Sequence, residues 1–181
     1  MSTNAAIIIA HPDDEALFFS GLIQRKRSWK WTVICVTDGN AFHRKVARAA
    51  ELRRSCQLLG VHEIIELGLK DTLKKPLRRH ELKKGLSRIN KSFKFVFTHN
   101  SEGEYGHRHH QDVSFVVCRF YSRKSKVYSV SWNSYPEIKI QLTKNEFLLK
   151  KKLVQEIYRI ENRLWKLDKW TFPFEGFSKI K

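Results

Sequence analysis

The amino-acid sequence predicts an α/β protein whose sheet is mostly parallel and carries helices on both faces, in three layers. Three observations predict it. Ala6–Ala10 is a short, unbroken apolar run, the pattern of a strand buried on both faces. Strand-like and helix-like segments then alternate along the chain, as they do where each strand crosses over a helix to the next. Polar clusters follow the apolar runs, at the carboxyl ends of the strands, where open α/β sheets bind their ligands.

Each element follows from its residues. Asp13–Lys26 reads as a helix with Leu17, Phe18, Gly21 and Leu22 on one side. Trp31–Val36 is a second strand, stopped by Thr37-Asp38-Gly39-Asn40. Val46–Leu59 sets Leu52, Cys56 and Leu59 at helical spacing, and Gly60 ends it as a C-cap. His62–Leu67 is a third strand. A helix is expected over Leu82, Leu86 and Ile89, and Phe93–Thr98 is a fourth strand. Asp112–Tyr121 reads as helix and Val127–Trp132 as strand. Asn145–Asp168 reads as one long amphipathic helix. With 181 residues and no Gly/Ser linker, a single Rossmann-like domain over residues 1–181 is expected.

Composition narrows the function. Hydrophobic residues make up 41%, which suits a packed core and excludes a disordered chain. Lys and Arg number 35 against 18 Asp and Glu, a formal charge of +17. That excess points to an anionic partner: nucleic acid, an acidic membrane surface or an anionic substrate. Residues 70–94 concentrate it, with ten Lys and Arg against two acids. No RNA- or DNA-binding signature accompanies the basic runs, so nucleic acid is the least favoured of the three. No stretch approaches the ~20 apolar residues of a membrane span, and no signal-peptide pattern is present. A cytoplasmic protein is expected, with Cys35, Cys56 and Cys118 as reduced thiols.

Two clusters carry chemistry. Ala10-His11-Pro12-Asp13-Asp14-Glu15 follows the first strand and opens a helix. His11 and Asp14, three apart, share one face of that first turn and can share a divalent metal. Asp13 points elsewhere and stays free to take a proton from an activated water. The competing reading is an acidic first turn that favours the helix dipole, which leaves the histidine unexplained. Glu104-Tyr105-Gly106-His107-Arg108-His109-His110 follows the fourth strand, and His107 and His110 at i and i+3 can converge on one site. Three ligands with an open position describe a catalytic zinc site, since a structural one closes with four. Trp132, Trp165 and Trp170 are read as core residues in preference to a sugar-stacking role.

These residues resemble a known family. His11-Pro12-Asp13-Asp14-Glu15, Thr37-Asp38-Gly39, Arg48-x-x-Glu51 and Gly103-Glu104-Tyr105-Gly106-His107-x-x-His110 are similar to motifs of the LmbE/PIG-L zinc-dependent N-deacetylases. The motifs span roughly residues 6 to 113. The resemblance implies His11, Asp14 and His110 as zinc ligands and Asp13 as general base. It implies His107 as the group that stabilises the oxyanion or protonates the leaving amine, and Tyr105 as a group that polarises the carbonyl. It implies Arg48 and Asp71 as substrate-binding residues. The family pattern reads His-Pro-Asp-His where this chain has His107-Arg108-His109-His110; Asp112 is a candidate replacement for the absent acid.

The implied activity is hydrolysis of the acetamide of an N-acetylglucosamine-type sugar or its conjugate, with Zn2+ as cofactor, Fe2+ or another divalent metal being compatible with a His₂Asp set. The substrate is expected to be anionic or lipid-linked, with peripheral contact to an anionic membrane. The alternative is a basic nucleic-acid- or anionic-membrane-binding module on the same fold without deacetylase activity.

Overall fold

The structure, a computed structural model, describes residues 2–72, 75–132 and 134–180. Its strands are β1 (Asn4–Ile9), β2 (Lys30–Thr37), β3 (Glu63–Leu69), β4 (Phe95–Thr98), β5 (Lys126–Val130), β6 (Ile138–Gln141) and β7 (Phe174–Lys179). They form one sheet in the order β3-β2-β1-β4-β5-β7-β6. The first five in that order run parallel, and β7 and β6 are antiparallel to their neighbours. The helices are α1 (Asp14–Phe18), α2 (Ser20–Arg25), α3 (Lys45–Leu59), α4 (Arg79–Ser87), a single distorted turn α5 (Gly103–Gly106), α6 (Arg108–Tyr121), α7 (Lys144–Lys152) and α8 (Arg159–Trp165).

The unbroken apolar run of β1 serves two cores. Ala5, Ile7 and Ile9 face one cluster, with Leu52 of α3, Phe19, and Leu153, Val154 and Tyr158 after α7. Ala6, Ile8 and Ala10 face the other, with Leu82 and Leu86 of α4 and Val113, Val116 and Val117 of α6. Each fully buried Ile contributes on the order of 1.5–3 kcal/mol. Both faces being covered is what makes the run apolar without alternation. The three-layer α/β/α prediction therefore describes the molecule. All three cysteines are unpaired, Cys35 and Cys56 buried.

Two predicted helices are broken, each by a buried polar group. The helix expected over Asp13–Lys26 divides at Phe19. The carboxylate of Glu175 accepts the N–H groups of Gly21 (2.8 Å) and Leu22 (2.9 Å), so it caps α2 from across the fold. Lys150 pairs with that carboxylate at 2.9 Å, both side chains being almost fully buried. The helix expected over Asn145–Asp168 becomes α7, a wider π turn over Leu153–Ile157, and α8. The break falls at Tyr158, whose hydroxyl donates to Glu15 (2.6 Å). The antiparallel pair β6 and β7 was not expected from the sequence. No helix among the described residues is long and apolar enough to cross a membrane.

Candidate active site

The sheet order reverses between β1 and β4, whose neighbours lie on opposite sides. Ligands bind at such a switch point, outside the carboxyl ends of the strands. His11 to Asp14 follow β1 there, His99 follows β4, and the turn of α5 brings His107 and His110 to the same place. Backbone conformation fits the segment to its task. Gly106 has φ +88° ahead of His107, and Gly39 has φ +61° where a Cβ would press on Arg48 (3.0 Å) and Pro12 (3.2 Å). Asp13 has φ +120°, a strained conformation for a residue with a side chain, of the kind concentrated at functional sites.

The expected metal ligands come together. His11 Nδ1 lies 3.6 Å from Asp14 Oδ2, and His110 Nε2 lies 3.4 Å from Asp14 Oδ1. Donor atoms around a tetrahedral ion with ~2.0–2.2 Å bonds sit roughly 3.3–3.6 Å apart. His110 Nε2 is buried and makes no hydrogen bond. Its other nitrogen, Nδ1, contacts Glu104 Oε2 at 2.6 Å. A histidine that gives one ring N–H to a carboxylate and keeps the other nitrogen unpartnered has the form of a metal ligand with its supporting acid. Among the described residues, three sets of donor atoms cluster within 4.8 Å: His11-His107-His110, Asp14-His99-His110 and His11-Asp71-His109. The expected set His11-Asp14-His110 is not itself one of these: the first two share His110, and Asp14 approaches His11 through Oδ2 and His110 through Oδ1. The donors present thus fit a divalent cation.

Two supporting residues carry no role in the sequence reading: His99, which is not named there, and Glu104, which appears only as part of the second cluster. His99 is fully buried, stacks on His110 at 3.8 Å, accepts the Ala10 N–H (3.0 Å) through Nε2 and contacts Glu104 through Nδ1 (3.1 Å). Glu104 therefore holds two imidazoles at once. Burial opposes its ionisation, but His99 and His110 outweigh burial and hold the carboxyl at about 2. Burial likewise disfavours charge on His110, yet Asp14 and Glu104 raise it to about 10. The available signal was position: a histidine immediately after an apolar strand, like His11.

Asp13 lies beside this set. Its Oδ2 takes a hydrogen bond from Arg48 (2.9 Å), and burial pushes its carboxyl up to about 8 against the pull of that guanidinium. Arg48 is itself buried, also donating to the Pro12 carbonyl and lying 3.2 Å from Glu161. Its guanidinium is shared between Asp13 and Glu161. Glu51 pairs with Arg44 at 2.7 Å. His107 is partly buried; burial, with His11 and His110 nearby, holds it neutral at about 2, and its Nδ1 is unpartnered. Tyr105 stands 43% exposed at the rim, edge-on to His107. Asp71 approaches His11 Nε2 (3.8 Å) and His109 Nδ1 (3.6 Å).

The residues that depart from the family pattern are placed as follows. His109 Nδ1 meets His11 Nε2 at 2.9 Å, and His109 Nε2 donates to the Lys75 carbonyl at 3.0 Å. Asp112 does not replace the absent acid. It accepts from Leu77 N–H (3.0 Å) and Arg79 (2.7 Å), and so anchors the segment before α4.

His11, Asp13, His107, Arg48 and Asp71 line a cavity of about 430 Å³, together with Trp165 and Trp170. Trp165 is half exposed, so the core role expected for it does not hold. A larger cleft of about 830 Å³ lies behind Glu104, between α6 and the end of β5, and is lined by neither His11, Asp13, Asp14 nor His110.

Comparison with known proteins follows the same lines. Residues 6–121, from β1 to the end of α6, match the PIG-L family, described as GlcNAc-PI de-N-acetylase, and the chain belongs to that family. It is 28% identical over 174 residues to an uncharacterized protein of Acanthamoeba polyphaga mimivirus, covering 88% of this chain and 72% of that one. It is 40% identical over 58 residues to the N-acetylglucosaminyl-phosphatidylinositol de-N-acetylase of Saccharomyces cerevisiae, covering 29% of this chain and 19% of that one. In fold it is similar to N,N'-diacetylchitobiose deacetylase from Pyrococcus horikoshii, with a TM-score of 0.80, 19% identity, and coverage of 99% of this chain and 84% of that one. A 4-carboxy-2-hydroxymuconate hydratase from Pseudomonas putida shares the fold at a TM-score of 0.67 and 14% identity, covering 99% of this chain and 96% of that one. At such identities the likeness speaks to fold, and the reaction is argued from the site.

Proposed function

We propose that the chain is a metal-dependent hydrolase that removes the acetyl group from an N-acetylated amino sugar of the N-acetylglucosamine type, or from its conjugate, and releases acetate. One observation carries the reading: a carboxylate, Asp13, held beside but outside a His-Asp-His set with an unpartnered imidazole nitrogen. Family membership supports it. In this reading His11, Asp14 and His110 hold the cation, zinc by default, with Fe(II) suited to the same donors. Bound there, the cation supplies Lewis acidity toward an amide oxygen and acidifies water toward a pKa of ~7.

Asp13 takes the proton from the attacking water. Burial raises its carboxyl, and Arg48, together with a cation held beside it, would favour the ionised form that accepts the proton. The hydroxyl adds to the acetyl carbon, and His107 and Tyr105 hydrogen-bond the oxygen on which charge develops. The C–N bond then breaks, and the amine leaves with the proton that Asp13 took, directly or through His107. Arg48 fixes Asp13 in place, and Asp71 receives a sugar hydroxyl. Action as a single domain over residues 1–181, in the cytoplasm, with the basic surface near an anionic membrane, belongs to the same reading.

Elemental analysis separates the roles. His11→Ala and His110→Ala are expected to lose the cation, whereas Asp13→Ala keeps it and loses turnover. An active Asp13→Ala protein contradicts the base assignment.

A further inference from the structure

We propose that His109 is a positioning residue for the cation site: it fixes the ring tautomer of His11, so that Nδ1 of His11 stays bare and faces Asp14. The inference rests on the metal-dependent reading and adds a residue to it. The two imidazoles meet through His11 Nε2 and His109 Nδ1, 2.9 Å apart. The other ring nitrogen of His109, Nε2, lies 3.0 Å from the Lys75 carbonyl. A carbonyl only accepts, so His109 Nε2 carries a hydrogen. A neutral His109 then has no hydrogen on Nδ1, and its contact with His11 takes the hydrogen of His11 Nε2. This relay leaves His11 Nδ1 bare. That atom lies 3.6 Å from Asp14 Oδ2, a spacing that suits two donors on one ion.

The same distances decide against a second cation between these rings. His11, Asp71 and His109 offer donor atoms within 4.8 Å of one another. Donors on one tetrahedral ion keep roughly 3.3–3.6 Å apart. The 2.9 Å between the two imidazoles is a hydrogen-bond length instead. His109 has no nitrogen to spare, one being on the Lys75 carbonyl and the other on His11. Asp71 Oδ1 stays 3.8 Å from His11 and 3.6 Å from His109, outside hydrogen-bond reach of both.

The far end of the relay is held from α6. His109 and Asp112 are three apart on that helix and share a face. Asp112 accepts the Leu77 N–H at 3.0 Å, so the two side chains together hold the segment whose Lys75 carbonyl ends the relay. Burial of His109 shields its bonds from solvent. The two expected imidazole ligands are thereby prepared through opposite nitrogens. His110 gives Nδ1–H to the Glu104 carboxylate and has Nε2 unpartnered; His11 gives Nε2–H to an imidazole and keeps Nδ1. A neutral ring stands where the family pattern places an acid. It orients His11 without adding a charge beside the cation.

Two measurements on the full chain test the proposal, and neither needs turnover. In the metal-free protein, nitrogen-15 NMR of the histidine rings is expected to show the His11 hydrogen on Nε2, the signal being assigned by its loss in His11→Ala. His109→Phe is expected to turn it into a mixture of tautomers. In chelator competition for zinc, His109→Phe, which keeps a ring and loses both nitrogens, is expected to weaken affinity about 10–100-fold. His109→Asn, whose amide oxygen can stand where Nδ1 stood, is expected to stay within about threefold of the wild type. A hydrogen on His11 Nδ1 in the wild type, an unchanged affinity in His109→Phe, or an Asn variant as weak as the Phe variant overturns the proposal. A second tightly bound zinc that His109→Phe removes overturns it too. A wild type that binds no divalent cation overturns the metal-dependent reading and this proposal with it. No acetate from any amide probe, with zinc bound, overturns the deacetylase reading alone and leaves the role of His109 to the NMR and the chelator.

Discussion

At the scale of single residues, position within the strand-end loops carries the chemistry. Asp13 and Asp14 are adjacent and alike in sequence, yet their surroundings differ. Asp14 faces imidazoles, and Asp13 faces a guanidinium from α3. Asp13→Ala is expected to retain metal and to lose about 10²–10⁴-fold in turnover, the contribution of a positioned general base. Glu104 acts one step back, through His110 and His99. Glu104→Gln keeps the shape and removes the charge, and is expected to weaken cation affinity by about 10–100-fold in a chelator competition. An unchanged affinity removes Glu104 from the metal support. His11, Asp13, Asp14 and His110 were legible because their spacing and their place after apolar runs carry chemical meaning. His99 and Glu104 were not singled out, since their role exists only once β1 and β4 lie side by side. Arg48 shows the opposite limit: a residue legible in the motif whose partners, Asp13 and Glu161, are set by the fold.

At the scale of elements, the parallel strands were legible because burial on both faces leaves an unbroken apolar signature. The α2 break and strand β7 were not, and they share one cause. Glu175 sits mid-strand beside Gly176, a pattern that reads as loop, and its buried carboxylate caps α2 and pairs with Lys150. Lys150→Met is expected to leave that carboxylate without its counter-charge and to cost about 3–5 kcal/mol in urea unfolding. Helix α7 opens with a reciprocal cap, Thr143 accepting from the Glu146 N–H and Glu146 from the Thr143 N–H. Thr143→Ala is expected to cost about 1 kcal/mol. Burial disfavours the charged form of Glu146, but hydrogen bonds from Arg25 and Thr143 prevail and lower its carboxyl below the model-compound 4.5. A depressed folded-state value stabilises above 4.5 and is lost as pH falls through it. The destabilisation caused by Glu146→Gln is therefore expected at pH 7 and to shrink toward pH 3 in unfolding curves.

At the scale of the whole molecule, the switch-point topology gathers loops from four strands, and the C-terminal segment closes the cavity beside them. The layers were legible in the sequence, as was the end of the sheet where the candidate site residues gather, but not the antiparallel β6 and β7, whose pairing depends on long-range register with β5. The sequence also showed a strong positive charge without saying where it acts. Among the described residues, the cations of the cavity lining, Arg44 and Arg48, are paired with carboxylates. Retention on anionic vesicles is expected to be salt-sensitive and to exceed retention on DNA of equal phosphate content. Stronger retention on DNA contradicts that assignment. The central claim is that the His-Asp-His set and Asp13 hydrolyse an acetamide on an amino sugar. Acetate release from a panel of N-acetylglucosamine conjugates, measured before chelation, after chelation and after zinc is restored, tests it most directly. The account predicts release from at least one conjugate, lost on chelation and recovered with metal; no release from any of them, or release indifferent to the chelator, contradicts it.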